Sequence, residues 1–232
     1  TGWTMIVIKN LRLRRALKFI LPFLLIPAVI AVGVHISGGR RYIFISLSVA
    51  VLSLLLFITS FEKKKIGTRR LTLVAVMTAL SVLGRFIPFF KPVTALTVIT
   101  AVYLGGESGF LTGALSALIS DFWFGLGPWT PFQMFSWGMI GLIAGFLSVP
   151  LKKYRAALIG YGLLSGVMYS FIMDIWTVLW YNGSLKLTLY AGAILTALPH
   201  TLLYSVSNII FLALFSKPFG EKLERIKYKY GV

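Results

Sequence analysis

Apolar residues run along this chain in long blocks, without the two-residue alternation of half-buried strands. Eight blocks can be laid out, at about 19–36, 42–61, 71–90, 92–105, 108–124, 132–150, 157–181 and 187–216. A hydrocarbon layer about 30 Å thick is crossed by roughly 20 residues of helix, and several blocks approach or exceed that length with few charges inside. The pattern predicts an all-α integral membrane protein. A β-barrel is disfavoured, because its lumen-facing and lipid-facing positions would alternate. The 92–105 block is short and holds Thr94, Thr97 and Thr100, so it reads as a tilted or partly re-entrant helix packed inside protein.

The run FEKKKIGTRR at 61–70 divides two blocks from the six that follow. The predicted organisation is a basic N-terminus with two additional N-terminal transmembrane helices in 1–66, a six-helix core in 67–217 that holds the intramembrane polar groups, and a basic cytoplasmic tail in 218–232. The basic stretch LRLRRALK ahead of the first block resembles the start of a signal peptide. No small-residue cleavage site follows it, so the first block reads as an uncleaved span.

Composition places most of the chain in lipid: 58% of residues are hydrophobic, 12% are charged, and the mean hydropathy is +0.88. The net charge of +17 sits between apolar blocks and not on one soluble module, which argues against nucleic acid as the partner. With the N-terminus in the cytoplasm, 18 of the 23 lysines and arginines fall on the cytoplasmic side. The positive-inside rule therefore predicts a multi-pass protein of the cell membrane with both termini cytoplasmic. The absence of cysteine excludes disulfides, thiolate metal ligands and a cysteine nucleophile.

Small residues recur at intervals of four: Ala75 and Ala79, Gly109 and Gly113, Gly113 and Ala117, Gly141 and Gly145, Gly162 and Gly166. Such pairs let helices approach closely in lipid, either within one bundle or against another membrane subunit.

Polar side chains collect near the outer ends of the later blocks. The stretch GLGPWTPFQMFSWG at 125–138 interrupts them with prolines and glycines, which turn the chain, and with Trp129, Gln133 and Trp137. Gln133 and Trp137 are one helical turn apart and share a face, where an amide beside flat aromatic surface suits a ligand; the tryptophans serve equally as interfacial anchors. Asp121 and Asp174 lie in apolar blocks and need a partner, with Arg85 and Lys91 as candidates and a purely structural ion pair as the other reading. His200, Tyr204 and Asn208 follow at helical spacing, as a ligand stripe or a satisfied polar network.

Two stretches, RRLTLVAVMTALSVLGRFIPFFKPVTALT at 69–97 and GGESGFLTGALSALISDFWFGLGPWTPFQMFSWGMIGLIAG at 105–145, resemble the S component of energy-coupling factor (ECF) vitamin transporters. The resemblance covers roughly 70–217 and implies a six-helix core that captures a vitamin on the extracellular side. It implies partners as well: a transmembrane coupling subunit of the EcfT type and two ATP-binding subunits of the EcfA type, which use the ATP. Ala75 and Ala79 match the family's alanine, three residues, alanine motif for docking to the coupling subunit. The implied ligand neighbourhood is Arg85, Lys91, Asp121, Trp129 and Gln133. Within the family, the long form and the aromatic outer region look most like the cobalamin or corrinoid type, with another vitamin or a precursor such as pantothenate as the alternative.

The expectation is thus a transport subunit with no cofactor for chemistry, whose ligand contacts come from Arg85, Lys91, Asp121, Trp129, Gln133, Trp137, Asp174, His200 and Tyr204. The chain has no glycine-rich phosphate loop ending in GK[ST], no HExxH motif and no Ser-His arrangement, which disfavours an ATPase or an intramembrane hydrolase. A non-transporting assembly subunit and a self-sufficient carrier are the remaining readings. The lack of duplicated halves disfavours the carrier.

Overall fold

The computed structural model describes residues 8–35, 41–60, 64–182 and 185–230. Among them every regular element is helical: α1 Leu11–Ile20, a π-helical turn Leu21–Leu25, α2 Ile26–His35, α3 Arg41–Ile58, α4 Lys64–Gly84, α5 Val93–Leu104, α6 Gly106–Phe124, α7 Thr130–Phe146, α8 Ser148–Lys153, α9 Arg155–Asn182 and α10 Leu187–Tyr230. Asn10 caps α1 by accepting from the backbone N–H groups of Arg12 and Leu13, at 3.0 and 3.2 Å. Pro22 has no N–H to give the helix, and the backbone widens into the π-helical turn around it without breaking the rod.

The eight-span expectation, a six-helix core preceded by two additional N-terminal transmembrane helices, is overturned. Three helical stretches among the described residues are long and apolar enough to cross a membrane: Leu11–Gly33, Arg155–Asn182 and Leu187–Tyr230. Ile43–Ile58 and Val93–Leu104 are shorter apolar helices. The physical reason lies in burial. A helix sealed by its neighbours need be neither long nor uniformly apolar, so α6 opens GESGFLTG and α7 stops after 17 residues. Residues 61–63 of the expected break between blocks lie outside the described residues.

At the centre is α5, packed against α4, α6, α7 and α10. Eleven of its 12 residues are buried, so Thr94, Thr97 and Thr100 face protein and not lipid. Around it α6 and α7 form the tightest pair. A Cβ on Gly109 would meet the backbone of Gly141 at 3.2 Å, and one on Gly113 would meet the carbonyl group of Trp137 at 2.5 Å. Gly162 and Gly166 play the same part between α9 and α10, where Asn208 Nδ2 donates to the Gly162 carbonyl at 3.2 Å and Ser205 Oγ to that of Leu163 at 3.1 Å. Ala75 and Ala79 differ from these glycine pairs. They lie exposed on the outer face of α4, beside Val76, Leu80 and Leu83.

Candidate ligand-binding site

The turn between α6 and α7 is built by residue types with little choice. Gly125 ends α6 with φ +105°, in the region where an L side chain is strained. Gly127 lies flat against the Trp129 indole, where a Cβ would overlap the ring. Pro131 sits in the first turn of α7, where its missing N–H leaves no helical bond unmade. Thr130 joins the two helices: its hydroxyl accepts the Gly127 N–H at 3.2 Å and donates to Asp121 Oδ2 at 2.7 Å.

Asp121 is the hub. Its Oδ1 pairs with Arg85 Nη1 at 2.7 Å, and the same nitrogen donates to Ser120 Oγ. The two side chains are 1% and 9% exposed, so this is a buried ion pair. With the Gln133 amide nitrogen turned toward Asp121, it donates to Oδ2 at 3.2 Å while the amide oxygen accepts from the Tyr169 hydroxyl at 3.3 Å. The guanidinium carbon lies 5.0 Å from the Phe124 ring centre and 5.2 Å from that of Trp137, sandwiching the cation between aromatics. Trp137 stacks on Tyr169 at 5.0 Å, and Tyr169 meets Tyr204 edge-on at 5.2 Å. Arg85, Asp121, Gln133, Trp137 and Tyr204 therefore belong to one cluster drawn from the end of α4, α6, α7, α9 and α10.

Lys91 and Trp129 stand beside that cluster. Lys91 lies in the connection after α4, with Nζ 5.4 Å from the Phe124 ring centre. Its backbone N–H donates to Ser207 Oγ at 2.9 Å, and Ser207 donates to the Lys91 carbonyl at 3.2 Å, so α10 holds the connection down. Burial and the neighbouring Arg85 push the Lys91 ammonium below its usual pKa. Trp129 packs edge-on against Trp176 at 5.9 Å, and Trp176 stacks on Trp180 at 6.4 Å, making a second aromatic group along α9.

Asp174 does not pair with Arg85 or Lys91, as its charge led us to expect. No basic side chain among the described residues lies within ion-pair distance. It is 6% exposed, takes a hydrogen bond from Ser170, and has an Oδ2 with no partner; Ser170 in turn accepts from Thr201 Oγ1 at 2.6 Å. His200 is exposed on α10, one turn before the Tyr204 that joins the cluster. Asn208, third in that stripe, is spent on the Gly162 carbonyl.

Thr130, Tyr169 and Trp176 were missed as site residues. Thr130 was legible, since a threonine before a proline after a glycine turn marks a helix start. Tyr169 was not, because its partners Trp137 and Gln133 are on another helix. An apolar groove of about 260 Å³ runs between α2, α7 and α9, lined by Pro27, Ile30, Phe132, Phe135, Ile172 and Ile175 among others, and contains none of the expected ligand residues. Among the described residues no group of three or more His, Cys, Asp or Glu is placed to hold a metal ion.

Residues 65–225 match the family described as ECF-type riboflavin transporter, S component. No curated protein and no solved structure matches the chain. The match overturns the cobalamin or corrinoid type: an aromatic wall with amide and carboxylate groups suits many flat polar ligands, so that chemistry alone had no power to select a corrin.

Proposed function

The chain belongs to the S-component family of ECF-type riboflavin transporters, and on that membership we propose that it captures riboflavin outside the cell for an ATP-driven importer. The family match over residues 65–225 carries this reading. The site chemistry supports it. Riboflavin has a flat ring system with amide-like donors and acceptors on one edge and a polyhydroxyl chain. Trp137, Tyr169 and Tyr204 carry the flat aromatic surface, and Gln133 with the Arg85 and Asp121 pair the donors and acceptors, that such a ligand asks for; Trp137 and Asp121 are 4% and 1% exposed, so in this reading the ligand enters as these side chains part, with Lys91, Trp129 and Asp174 proposed for the remainder.

Such a subunit is a transport component and not an enzyme. In this reading a transmembrane coupling subunit and two ATP-binding subunits supply the energy, and Ala75 and Ala79 on the exposed face of α4 form the docking surface. The substrate-binding core is 67–217, and both termini lie in the cytoplasm.

Purified protein titrated with riboflavin should quench the flavin fluorescence at one ligand per chain, and flavin should co-purify with it. Trp137→Ala should weaken binding about tenfold, the order of one lost aromatic contact. Binding of a different vitamin with no quenching of riboflavin would defeat this assignment. For the docking face, Ala75→Leu with Ala79→Leu should abolish co-purification of the coupling subunit while riboflavin binding persists; intact co-purification removes that surface.

A further inference from the structure

Four buried hydroxyl groups, Thr78 and Ser81 of α4 and Thr112 and Ser116 of α6, have no hydrogen-bond partner within the protein. Their residues are 0–3% exposed. Serine and threonine in a buried helix ordinarily bond the carbonyl four residues back, as Ser120 does with Ser116 and Thr100 with Leu96. These four do not, so the seam leaves donors and acceptors unused where lipid and side chains offer none.

Helical register brings them together. Arg85 bonds Ser120 across the seam, and the Arg85 N–H bonds the Ser81 carbonyl one turn below. Ser81 and Ser116 are each four residues before that pair, so they face each other one turn in, and Thr78 and Thr112 follow at the next. Arg85 Nε, also without a partner, lies at the mouth. Beside Thr78 and Thr112 stand Val74 and Leu111, which with Phe57 of α3 form one fully buried apolar cluster.

We propose that this stretch of the α4–α6 seam is a binding site for a short file of water molecules, opening at the Arg85 and Asp121 pair and ending at the Phe57, Val74 and Leu111 cluster. Water is the occupant the chemistry selects. Each hydroxyl can both donate and accept, and a bound water needs two to four such partners. The Arg85 guanidinium at the mouth repels a metal cation, and no carboxylate lies deeper along these turns to attract one. The consequence is mechanical. Along two turns α4 is held to α6 through exchangeable water, whereas α6 and α7 are locked by backbone contact at Gly109, Gly113 and Gly141. Displacement of α4, the helix with Ala75 and Ala79 on its outer face, then breaks no fixed hydrogen bond there. The water site itself depends on seam geometry and not on the identity of the transported vitamin.

The natural lack of cysteine allows a near-isosteric test. Ser81→Cys and Ser116→Cys each place a single S–H reporter in the seam, and Ser53→Cys replaces a fully buried serine already bonded to the Val49 carbonyl. After transfer to D2O the infrared S–H bands of the two seam variants should shift to S–D within minutes, and that of Ser53→Cys should persist for hours. Seam bands as persistent as the Ser53→Cys band would overturn the proposal. The unmodified protein gives a second reading free of folding effects. In water-edited solid-state NMR, Thr78 and Thr112 should receive magnetisation from water faster than Thr100, which is buried and bonded to Leu96; equal rates would overturn it.

Discussion

At one end of the bundle Arg85 and Asp121 pair with side chains 9% and 1% exposed, enclosed by Phe124 and Trp137; at the other, Lys152 and Glu224 meet at 3.1 Å with 34% and 57% exposed. Helix α6 spans the distance, with Asp121 in its last turn and Glu107, bonded to Lys18 at 2.5 Å, in its first. The second end gathers charges on its surface, where Lys152 also lies 4.4 Å from the Tyr103 ring centre and Arg69 donates to the Tyr230 carbonyl. Charge in water is inexpensive to keep. Charge sealed behind aromatics is not, and it persists where its exact placement is used.

The largest effect should come from splitting the buried pair. Arg85→Gln leaves Asp121 buried without its cation and should cost about 3–5 kcal/mol of stability, read by thermal or denaturant unfolding, with riboflavin binding lost. The double change Arg85→Met with Asp121→Leu removes both charges. Much of the stability should return with it while binding stays lost, because an apolar pair of similar size fills the space but offers no ligand contact. Recovery of binding in the double variant would place the pair outside the ligand site.

At the opposite end the same operation should do much less. Lys18→Met removes the partner of Glu107, which is only 15% exposed and sits at the positive N-terminus of α6, so the loss should be about 1 kcal/mol or less. Glu224→Gln should cost no more than about 0.5 kcal/mol, and added salt should erase the difference. A loss at Glu224 comparable to that at Arg85 would abolish the contrast between the two ends.

How far these ends were legible in the sequence follows from what each interaction depends on. The helical class and the membrane setting were plain, since both rest on continuous apolar runs. The pairing of Asp121 with Arg85 was legible too, because an acid in an apolar block demands a cation and few were nearby. The number of spans was not: the blocks at 71–90, 108–124 and 132–150 look alike whether lipid or protein covers them, whereas α6 and α7 are largely sheltered by neighbours and α4 opens on the basic turns KKIGTRR. Asp174 misled for a related reason. Its charge called for a cation, whereas the fold supplies Ser170 and leaves one oxygen without a partner. Tyr169 and the seam hydroxyls depend on which helix faces which, information that no local pattern holds.

The smallest effect sharpens the comparison at the site end, where Lys91 is the one cation of the cluster's rim that is neither sealed nor free in water. Burial and Arg85 lower its pKa from the ordinary 10.5. The native state therefore releases this proton at lower pH than the unfolded chain does. Between the two values the unfolded chain binds more protons, so this residue's contribution to stability rises with pH across that window; below it the ammonium is charged in both states and imposes a constant penalty. Lys91→Met removes the titration altogether. The variant should melt higher than the parent at neutral pH, with the gap closing as pH rises toward 10.5, both followed by tryptophan fluorescence. Apolar packing of the methionine side chain adds an offset that does not change with pH, so the slope of the difference and not its size is the reading. A difference that stays flat across that range would show the Lys91 ammonium to be hydrated in the folded chain, and would separate it from the sealed charges of Arg85 and Asp121.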